Sequence, residues 1–347
     1  MDHEDHQPPR RLRGEDPIEI LLTGITGFIG SHLADVMQTT SNHHVVGMIR
    51  NVKDQAPLEA RGIETRIADL LQPVSLTQVT KDVDVVVHLA ALMRFHAPWN
   101  DLYASNVEAT KHLANDAAAQ GVRHFIYISS TEAVGPVDTI PGDESAPYHP
   151  TYDYGRTKML AEQWLHTQEK TKGLPLTILR PTGVYGPGDD YITLPMLRAV
   201  KQGKLRMLPG KADHQIQFTY VHDVAKGIIA AISSKEQVLG KTIFLASDDA
   251  VTYRGLFTIM AQLLDVPPPT RSVPPWLASI YLRYLEWTNA RKGVDEFIFH
   301  PSLVKDMQTD RVYSNALARR LLGFQPQYTL REGMDEAIRW YTVRHLL

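Results

Sequence analysis

Residues 23–32 read TGITGFIGSH, and this stretch decides the fold. The preceding residues, IEILLTG at 18–24, form a short run of isoleucine and leucine closed by glycine, which is typical of a buried parallel strand. The helical spacing of Phe28, Leu33 and Met37 predicts a helix directly after it. The stretch therefore predicts a tight connection from the first strand to the first helix.

Three glycines in this connection, Gly24, Gly27 and Gly30, follow the pattern G-x-x-G-x-x-G. Gly24 suits a tight turn, Gly27 lets backbone N–H groups approach a pyrophosphate, and Gly30 lets helix and strand pack closely. Phosphates would bind at the helix N-terminus, where unpaired N–H groups and the dipole favour negative charge. An ordinary glycine-rich turn is the alternative, but the place between first strand and first helix favours dinucleotide binding.

Further apolar runs follow this connection and alternate with helical patterns. The strand-like runs are HHVVGMIR at 43–50, IETRIADL at 63–70, VDVVVHLAA at 83–91, VRHFIYISS at 122–130 and LPLTILRPTGVYG at 174–186, and helical patterns lie near 102–119 and 151–168. Continuous apolar runs that alternate with helices are typical of a parallel sheet covered on both faces. The fold class predicted is α/β, a Rossmann-like doubly wound parallel sheet with a smaller mixed C-terminal substrate-binding domain.

The chain divides into a short tail and two larger parts. We expect residues 1–17 to be a disordered tail, because they are charged, contain prolines and lack the apolar region of a secretory signal. Residues 18–190 form the predicted dinucleotide-binding domain, to which parts of 215–250 return, and residues 191–347 form mainly the substrate-binding cap.

Composition excludes several function classes. The 347 residues contain no cysteine, which excludes disulfides, thiolate catalysis and cysteine-ligated zinc, and the histidines show no metal-ligand spacing. A net charge of −3 gives no basic surplus for nucleic acid. No apolar run is long enough to cross a bilayer. We therefore expect a cytoplasmic protein that acts on a small molecule, without metal or nucleic acid.

The end of the second strand bears on the choice of cofactor. An NAD-preferring site usually has Asp or Glu there to hold the ribose 2′-hydroxyl, whereas this chain has Arg50 and Asn51. A cation suits a 2′-phosphate, so the sequence favours NADP over NAD, with a solvated surface arginine as the alternative.

The stretch TYDYGRTK at 151–158 places two tyrosines before a lysine. Tyr154 and Lys158 are four residues apart and share a helix face, whereas Tyr152 is six residues from the lysine and does not. Hydride transfer to a carbonyl leaves an alkoxide that needs a proton, which a tyrosine can supply. We expect the ammonium of Lys158 and a positively charged nicotinamide to lower the pKa of Tyr154.

Eight motifs in order give the chain a family resemblance: TGITGFIG at 23–30, ADL at 68–70, VHLAA at 87–91, SNVEAT at 105–110, YISSTEAVG at 127–135, YGRTK at 154–158, RPTGVYGPGD at 180–189 and YVHDVA at 220–225. Over about residues 18–345 the chain resembles the extended short-chain dehydrogenases/reductases, also called the NAD-dependent epimerase/dehydratase family. It is most similar to the branch of 3β-hydroxysteroid dehydrogenases and dihydroflavonol reductases.

The resemblance implies roles for individual residues. Catalysis would fall to Ser130, Tyr154 and Lys158, with Thr131 as the rival of Ser130. The cofactor would contact Gly24, Thr26, Gly27, Phe28, Ile29, Gly30, Arg50, Asn51, Asp69, Leu70, Leu89, Ala90, Ala91, Asn106, Tyr154, Lys158, Pro181, Thr182 and Val184. Substrate contacts would come from Met93, Thr131, Glu132 and Tyr185.

The resemblance also narrows the activity. Dehydratases of the family carry an Asp-Glu pair where this chain has Thr131 and Glu132, so elimination is disfavoured. Epimerases carry a diphosphate-clamping arginine where Ile216 stands, although His214 or Arg271 could compensate. We predict an NAD(P)-dependent oxidoreductase that interconverts a ketone or aldehyde and an alcohol, with Tyr154 as acid/base. An NAD-dependent nucleotide-sugar epimerase is the alternative, and a non-catalytic dinucleotide-sensing module is a minor one.

Two expectations concern partners. A homodimer through the helices near 102–119 and 154–170 is implied by the resemblance. The segment WLASIYLRYLEW at 276–287 would roof an apolar substrate, belong to the core, or touch a membrane. Membrane contact is disfavoured because Arg283 and Glu286 interrupt its apolar surface.

Overall fold

A computed structural model describes residues 17–292 and 300–347, so most of the predicted tail lies outside the described residues. The strands are β1 (Glu19–Thr23), β2 (His44–Ile49), β3 (Glu64–Ile67), β4 (Val85–His88), β5 (His124–Ile128), β6 (Leu176–Pro181), β7 (Gly183–Tyr185), β8 (Met207–Pro209), β9 (Gln215–Tyr220), β10 (Thr242–Leu245), β11 (Ala250–Thr252) and β12 (Arg271–Val273).

The helices lie between these strands and after them. They are α1 (Phe28–Thr40), α2 (Gln55–Glu59), α3 (Trp99–Tyr103), α4 (Ala109–Ala119), α5 (Asp153–Lys172), α6 (Thr193–Lys201), α7 (Val221–Ser233), α8 (Lys235–Val238), α9 (Tyr253–Leu263), α10 (Pro275–Lys292), α11 (Ser302–Asp306), α12 (Ala316–Leu322) and α13 (Leu330–Val343). A π-helical turn, Ala104–Glu108, joins α3 to α4, and a 3-10 turn, Thr131–Ala133, follows β5.

The large sheet has the order β10-β6-β5-β4-β1-β2-β3, and every pair in it is parallel. Its strands other than the edge strand β3 are largely buried because their apolar runs pack on both faces, with α1 and α7 on one side and α4 and α5 on the other. Strand order reverses between β1 and β4, which opens a crevice at their carboxyl ends. The predicted α/β class with a Rossmann-like parallel sheet is confirmed.

A second, smaller core lies beyond β6. Strands β7, β9 and β11 form a mixed sheet, β8 pairs with β12, and α6, α9 and α13 pack against them. The chain then alternates between the two cores, because α7 and β10 return to the large sheet. Helix α12 also packs against the core of the large sheet, through Ala318 and Leu322. The sequence analysis had placed this helix within residues 191–347, which it expected to form mainly the cap.

Helix α10 has an exposed apolar face, so of the expected roles that of a plain core element is wrong and that of a substrate roof stays a prediction. Its large side chains Trp276, Leu277, Ile280, Tyr281, Tyr284 and Trp287 are exposed. They share one face because their spacing follows the helical repeat. Among the described residues, no helix is both long and apolar enough to cross a membrane.

Candidate active site

The glycine loop runs between the end of β1 and the start of α1. Gly24 has a φ of +71°, and a Cβ there would lie 2.8 Å from the backbone nitrogen of Ala90 after β4. A Cβ on Gly30 would lie 2.2 Å from the carbonyl oxygen of Gly24. Glycine is therefore required at both positions, since any side chain would push helix, loop and sheet apart.

A cavity of about 360 Å³ opens beside this loop at the crevice between β1 and β4. Of the predicted cofactor residues, those lining it are Gly24, Thr26, Gly27, Arg50, Asn51, Asp69, Leu70, Ala90 and Ala91. A glycine cradle with helix N–H groups next to a crevice of this size fits a dinucleotide. The residues present therefore suit a nicotinamide dinucleotide.

Eight lining residues were not predicted: Thr23, Met48, Ile49, Ala68, Leu71, Leu92, Ser105 and Ala109. Most of these eight residues stand next to a predicted residue at the end of a strand. Because successive side chains of a strand point to opposite faces, the position of the predicted residue could have indicated them. Ser105 and Ala109 belong to the helical segment that faces the crevice. Their spacing of four residues is the sequence signal that could have located them.

His88 lies behind the part of the cavity wall that Thr23 forms. Its imidazole is buried and lies 2.7 Å from the hydroxyl of Thr23 and 2.9 Å from that of Thr110. Burial, followed by the charge of Lys158, lowers the pKa of His88 to about 3, so the ring is neutral. Thr23 in turn accepts a hydrogen bond from the N–H of Ala90, which fixes the backbone against Gly24.

Asn106 fixes the loop after β4 through hydrogen bonds to its backbone. Its side-chain oxygen accepts from the N–H of Leu92, and its amide donates to the carbonyl of Leu92 and to the hydroxyl of Thr157. Because Asn106 is buried and fully engaged, its place is behind the cavity wall. It positions the loop after β4 relative to α5.

Lys158 lies buried at the centre of the candidate catalytic group. Its ammonium donates to the carbonyl oxygen of Ile128 at 2.8 Å and lies 5.8 Å from the ring centre of Tyr154. Burial lowers the pKa of Lys158 to about 7, against the opposing effect of the Glu162 carboxylate. Near neutral pH the side chain is therefore poised between its two protonation states.

Tyr154 is half-buried one residue into α5. Burial first, and the negative charge of Glu132 second, raise the pKa of Tyr154. This differs from the lowering that the sequence analysis expected from Lys158. The reason is that burial disfavours the charged phenolate, while the ammonium of Lys158 donates to a backbone carbonyl.

Ser130 stands at the end of β5, where its hydroxyl accepts from the N–H of Glu132 and caps the 3-10 turn. This turn touches the start of α5, because a Cβ on Gly155 would lie 2.3 Å from the carbonyl oxygen of Glu132. The turn that follows Ser130 therefore packs against the segment of α5 that holds Tyr154. Thr131, the rival, is 2% exposed, so its hydroxyl is not accessible to a substrate.

Glu132 lies between Tyr154 and the cap residue Arg311. Its carboxylate accepts from Arg311, which also donates to Asp306 and to the hydroxyl of Thr151. The Arg311 side chain is only 4% exposed, and two carboxylates neutralise it. Glu132 therefore forms an ion pair between the turn after β5 and the cap, and its contact with a substrate stays a prediction.

A series of aromatic rings in contact with one another begins at Tyr154 and leads to Tyr191. Tyr152 is the N-cap residue of α5, and its ring centre lies 6.4 Å from that of Tyr154 and 4.7 Å from that of Phe95. Phe95 in turn stacks on Tyr191 at 6.3 Å, and its N–H donates to the Tyr191 hydroxyl. Met93, a predicted substrate contact, is half-buried on the same loop.

The remaining predicted residues lie apart from the cavity. Phe28 contacts the ring of His32, Ile29 and Leu89 pack against the core of the large sheet, and Pro181 ends β6. Thr182 is buried and shares a hydrogen bond with Thr219, and Val184 packs against the large core. Tyr185 is corrected from substrate contact to cap core, since it is 1% exposed and donates to the carbonyl of Thr329.

Comparison with known proteins places this geometry in context. The sequence profile of the NAD dependent epimerase/dehydratase family matches residues 20–246. A 3-beta-hydroxysteroid dehydrogenase of Mycolicibacterium neoaurum is 25% identical over 336 residues, 93% of this chain and 91% of that protein. A sterol-4-alpha-carboxylate 3-dehydrogenase, decarboxylating, of Bos taurus is 26% identical over 329 residues, 91% of this chain and 90% of that protein.

A solved structure shares the fold. The UDP-glucuronic acid 4-epimerase of Bacillus cereus, in complex with NAD, superimposes with a TM-score of 0.74 over 94% of this chain and 100% of that one, at 21% identity.

Proposed function

Because the chain belongs to the NAD-dependent epimerase/dehydratase family, an extended short-chain dehydrogenase group of nicotinamide-dependent enzymes, we propose that it interconverts an apolar ketone and its secondary alcohol. The observation that carries this proposal is the surface beside Tyr154. The rings of Tyr152, Phe95 and Tyr191 form it, and the nearby cation Arg311 is neutralised by two carboxylates. Such a surface favours an apolar substrate over a diphosphate.

In this proposal the chain supplies the proton and holds the carbonyl. The bound nicotinamide provides or accepts the hydride. The hydroxyl of Ser130 donates to the substrate oxygen, and Tyr154 gives its proton to that oxygen as negative charge develops there. A protonated Lys158 offsets the phenolate charge that Tyr154 then carries. The raised pKa of Tyr154 in the free protein keeps its proton in place until the hydride moves.

Arg50 supports NADP as the preferred cofactor. The residue directly follows β2, lines the cavity and is exposed, so its guanidinium can reach a 2′-phosphate. The family as a whole is NAD dependent by its description, and the preference for NADP rests on this arginine alone.

The relatives support a sterol-like carbonyl as the substrate class. Two of them are named for dehydrogenation at the 3-position of a steroid or sterol, and each aligns over nine-tenths of this chain. At the place of the epimerase arginine, Ile216 packs against the cap core. His214 is paired with Asp310, which weakens the case for it as a replacement handle for a diphosphate.

The test uses the purified full-length protein, NADPH or NADH, and a panel of steroid and smaller apolar ketones. We expect nicotinamide oxidation that falls about 100-fold or more in Tyr154→Phe, because a general acid contributes about 10²–10⁴-fold. The exposed Tyr281→Phe is the matched control and should keep the wild-type rate. Equal rates in Tyr154→Phe and wild type would exclude the proposed role of Tyr154, and inversion of a UDP-sugar without net oxidation would favour the epimerase instead.

A further inference from the structure

Three side chains that the proposed chemistry does not use converge outside the dinucleotide cavity. They are His96 on the loop after β4, Glu286 on α10, and His300 before α11, and their nitrogen and carboxylate atoms all lie within 4.8 Å of one another. His96 is 190 residues before Glu286 and His300 is 14 residues after it, so the fold brings His96 to the other two.

The spacing of their atoms fits a shared metal ion better than direct ion pairs. Glu286 Oε1 lies 3.4 Å from His96 Nδ1 and 3.8 Å from His300 Nε2. Direct N–H···O hydrogen bonds are shorter, about 2.7–3.2 Å. Two ligands bonded at about 2.0–2.1 Å to one tetrahedral zinc ion are separated by about 3.3 Å, which is near the observed distances.

His300 is also oriented as a metal-binding histidine usually is. Its Nδ1 lies 2.7 Å from the hydroxyl of Ser302 and accepts the Ser302 backbone N–H over 3.2 Å. When an ion takes the Nε2 lone pair, the proton stands on Nδ1 and donates to the Ser302 hydroxyl, which replaces the longer bond from the backbone N–H. A hydrogen bond of this kind to the far nitrogen fixes the ring and strengthens the ligating one.

The surroundings allow an ion to enter and be held. The side chain of His96 is 26% exposed, that of Glu286 35% and that of His300 19%. All three are therefore partly desolvated and still reachable from solvent. Two imidazoles and one carboxylate select a divalent transition metal over magnesium or calcium, which prefer oxygen ligands.

We propose that His96, Glu286 and His300 form a binding site for one divalent transition-metal ion, zinc in the first instance. The ion ties α10 and the segment before α11 to the loop after β4. The His300 ring lies 5.4 Å from that of Phe95, so the ion holds the cap against the aromatic surface beside Tyr152. The site departs from the expectation of no metal, because histidine spacing along the sequence does not reveal ligands from three separate segments.

The experiment titrates the chelator-treated full-length protein with Co²⁺ and then displaces it with Zn²⁺. We expect one ion per chain and visible absorption bands of low-coordinate Co²⁺ with nitrogen and oxygen ligands. Glu286→Gln, His96→Ala and His300→Ala should each weaken binding more than about tenfold, and Ser302→Ala about 10–100-fold. Circular dichroism and thermal unfolding verify that each variant folds.

Two controls separate this site from other histidines. His44→Ala changes an exposed histidine outside the cluster, and a His3→Ala/His6→Ala double variant removes the two histidines nearest the N-terminus. Both should bind like wild type. The proposal is overturned if folded Glu286→Gln and His300→Ala bind Co²⁺ like wild type, if the double variant alone loses binding, or if wild type binds no ion stoichiometrically.

Discussion

Replacing Lys158 by methionine should change how the stability of the protein depends on pH. In the folded protein, burial lowers the pKa of Lys158 from 10.5 to about 7. Between these values the unfolded chain binds a proton that the folded chain does not, so the free energy of unfolding rises with pH across this window. Below pH 7 both states carry the proton, and the full cost of burying the ammonium is present.

The size of the effect follows from the two pKa values. With a folded value near 7, linkage gives wild type about 2 kcal/mol more stability at pH 9 than at pH 7 from this group alone. Lys158→Met has a side chain of similar length that does not titrate, so its stability should lack this increment while all other groups cancel.

Urea unfolding at fixed ionic strength measures both proteins at pH 7, 8 and 9 without cofactor. We expect the difference in unfolding free energy, wild type minus Lys158→Met, to increase by about 2 kcal/mol over this range. Parallel curves for the two proteins would show that Lys158 keeps an ordinary pKa in the folded state, and the reasoning from its burial would be wrong.

Three further changes test other parts of the site. Arg50→Ala should weaken NADPH at least about tenfold in a fluorescence titration and NADH only slightly, because only the former offers a 2′-phosphate; equal losses would refute that role. Gly30→Ala should abolish tight binding of either dinucleotide, since its Cβ would lie 2.2 Å from the carbonyl of Gly24, and unchanged affinity by calorimetry would contradict the packing argument. Arg311→Met should lower stability by about 3–5 kcal/mol in urea, because Glu132 and Asp306 lose their buried partner, and a loss below about 0.5 kcal/mol would show that the pair is not structural.

Local sequence signals predicted the parallel sheet and the glycine loop well, because both depend on residues close together in the chain. The spacing of Gly24 and Gly30 implies a close approach, and the structure places both in contact with neighbouring backbone. The four-residue interval from Tyr154 to Lys158 likewise follows from one helix, α5.

Contacts between residues that are far apart in the chain could not be predicted from the sequence. Glu132 and Arg311 are 179 residues apart, so nothing near Glu132 indicates that a buried guanidinium would occupy its carboxylate. Tyr185 follows the last long strand of the large sheet, yet the chain crosses into the cap within two residues and buries that ring there. The direction of the Tyr154 pKa also depended on burial, which the Tyr-Lys spacing does not reveal.

A homodimer through α4 and α5 remains a prediction that sedimentation would test.

The transfer of deuterium from reduced nicotinamide to substrate tests the central claim most directly. The protein is incubated with NADPH deuterated at C4 and an apolar ketone, and the product alcohol is analysed by mass spectrometry. Stereospecific incorporation of one deuterium at the carbinol carbon, strongly slowed in Tyr154→Phe, is the result we predict. An alcohol free of deuterium from every ketone tested, or equal incorporation in Tyr154→Phe, would contradict the account.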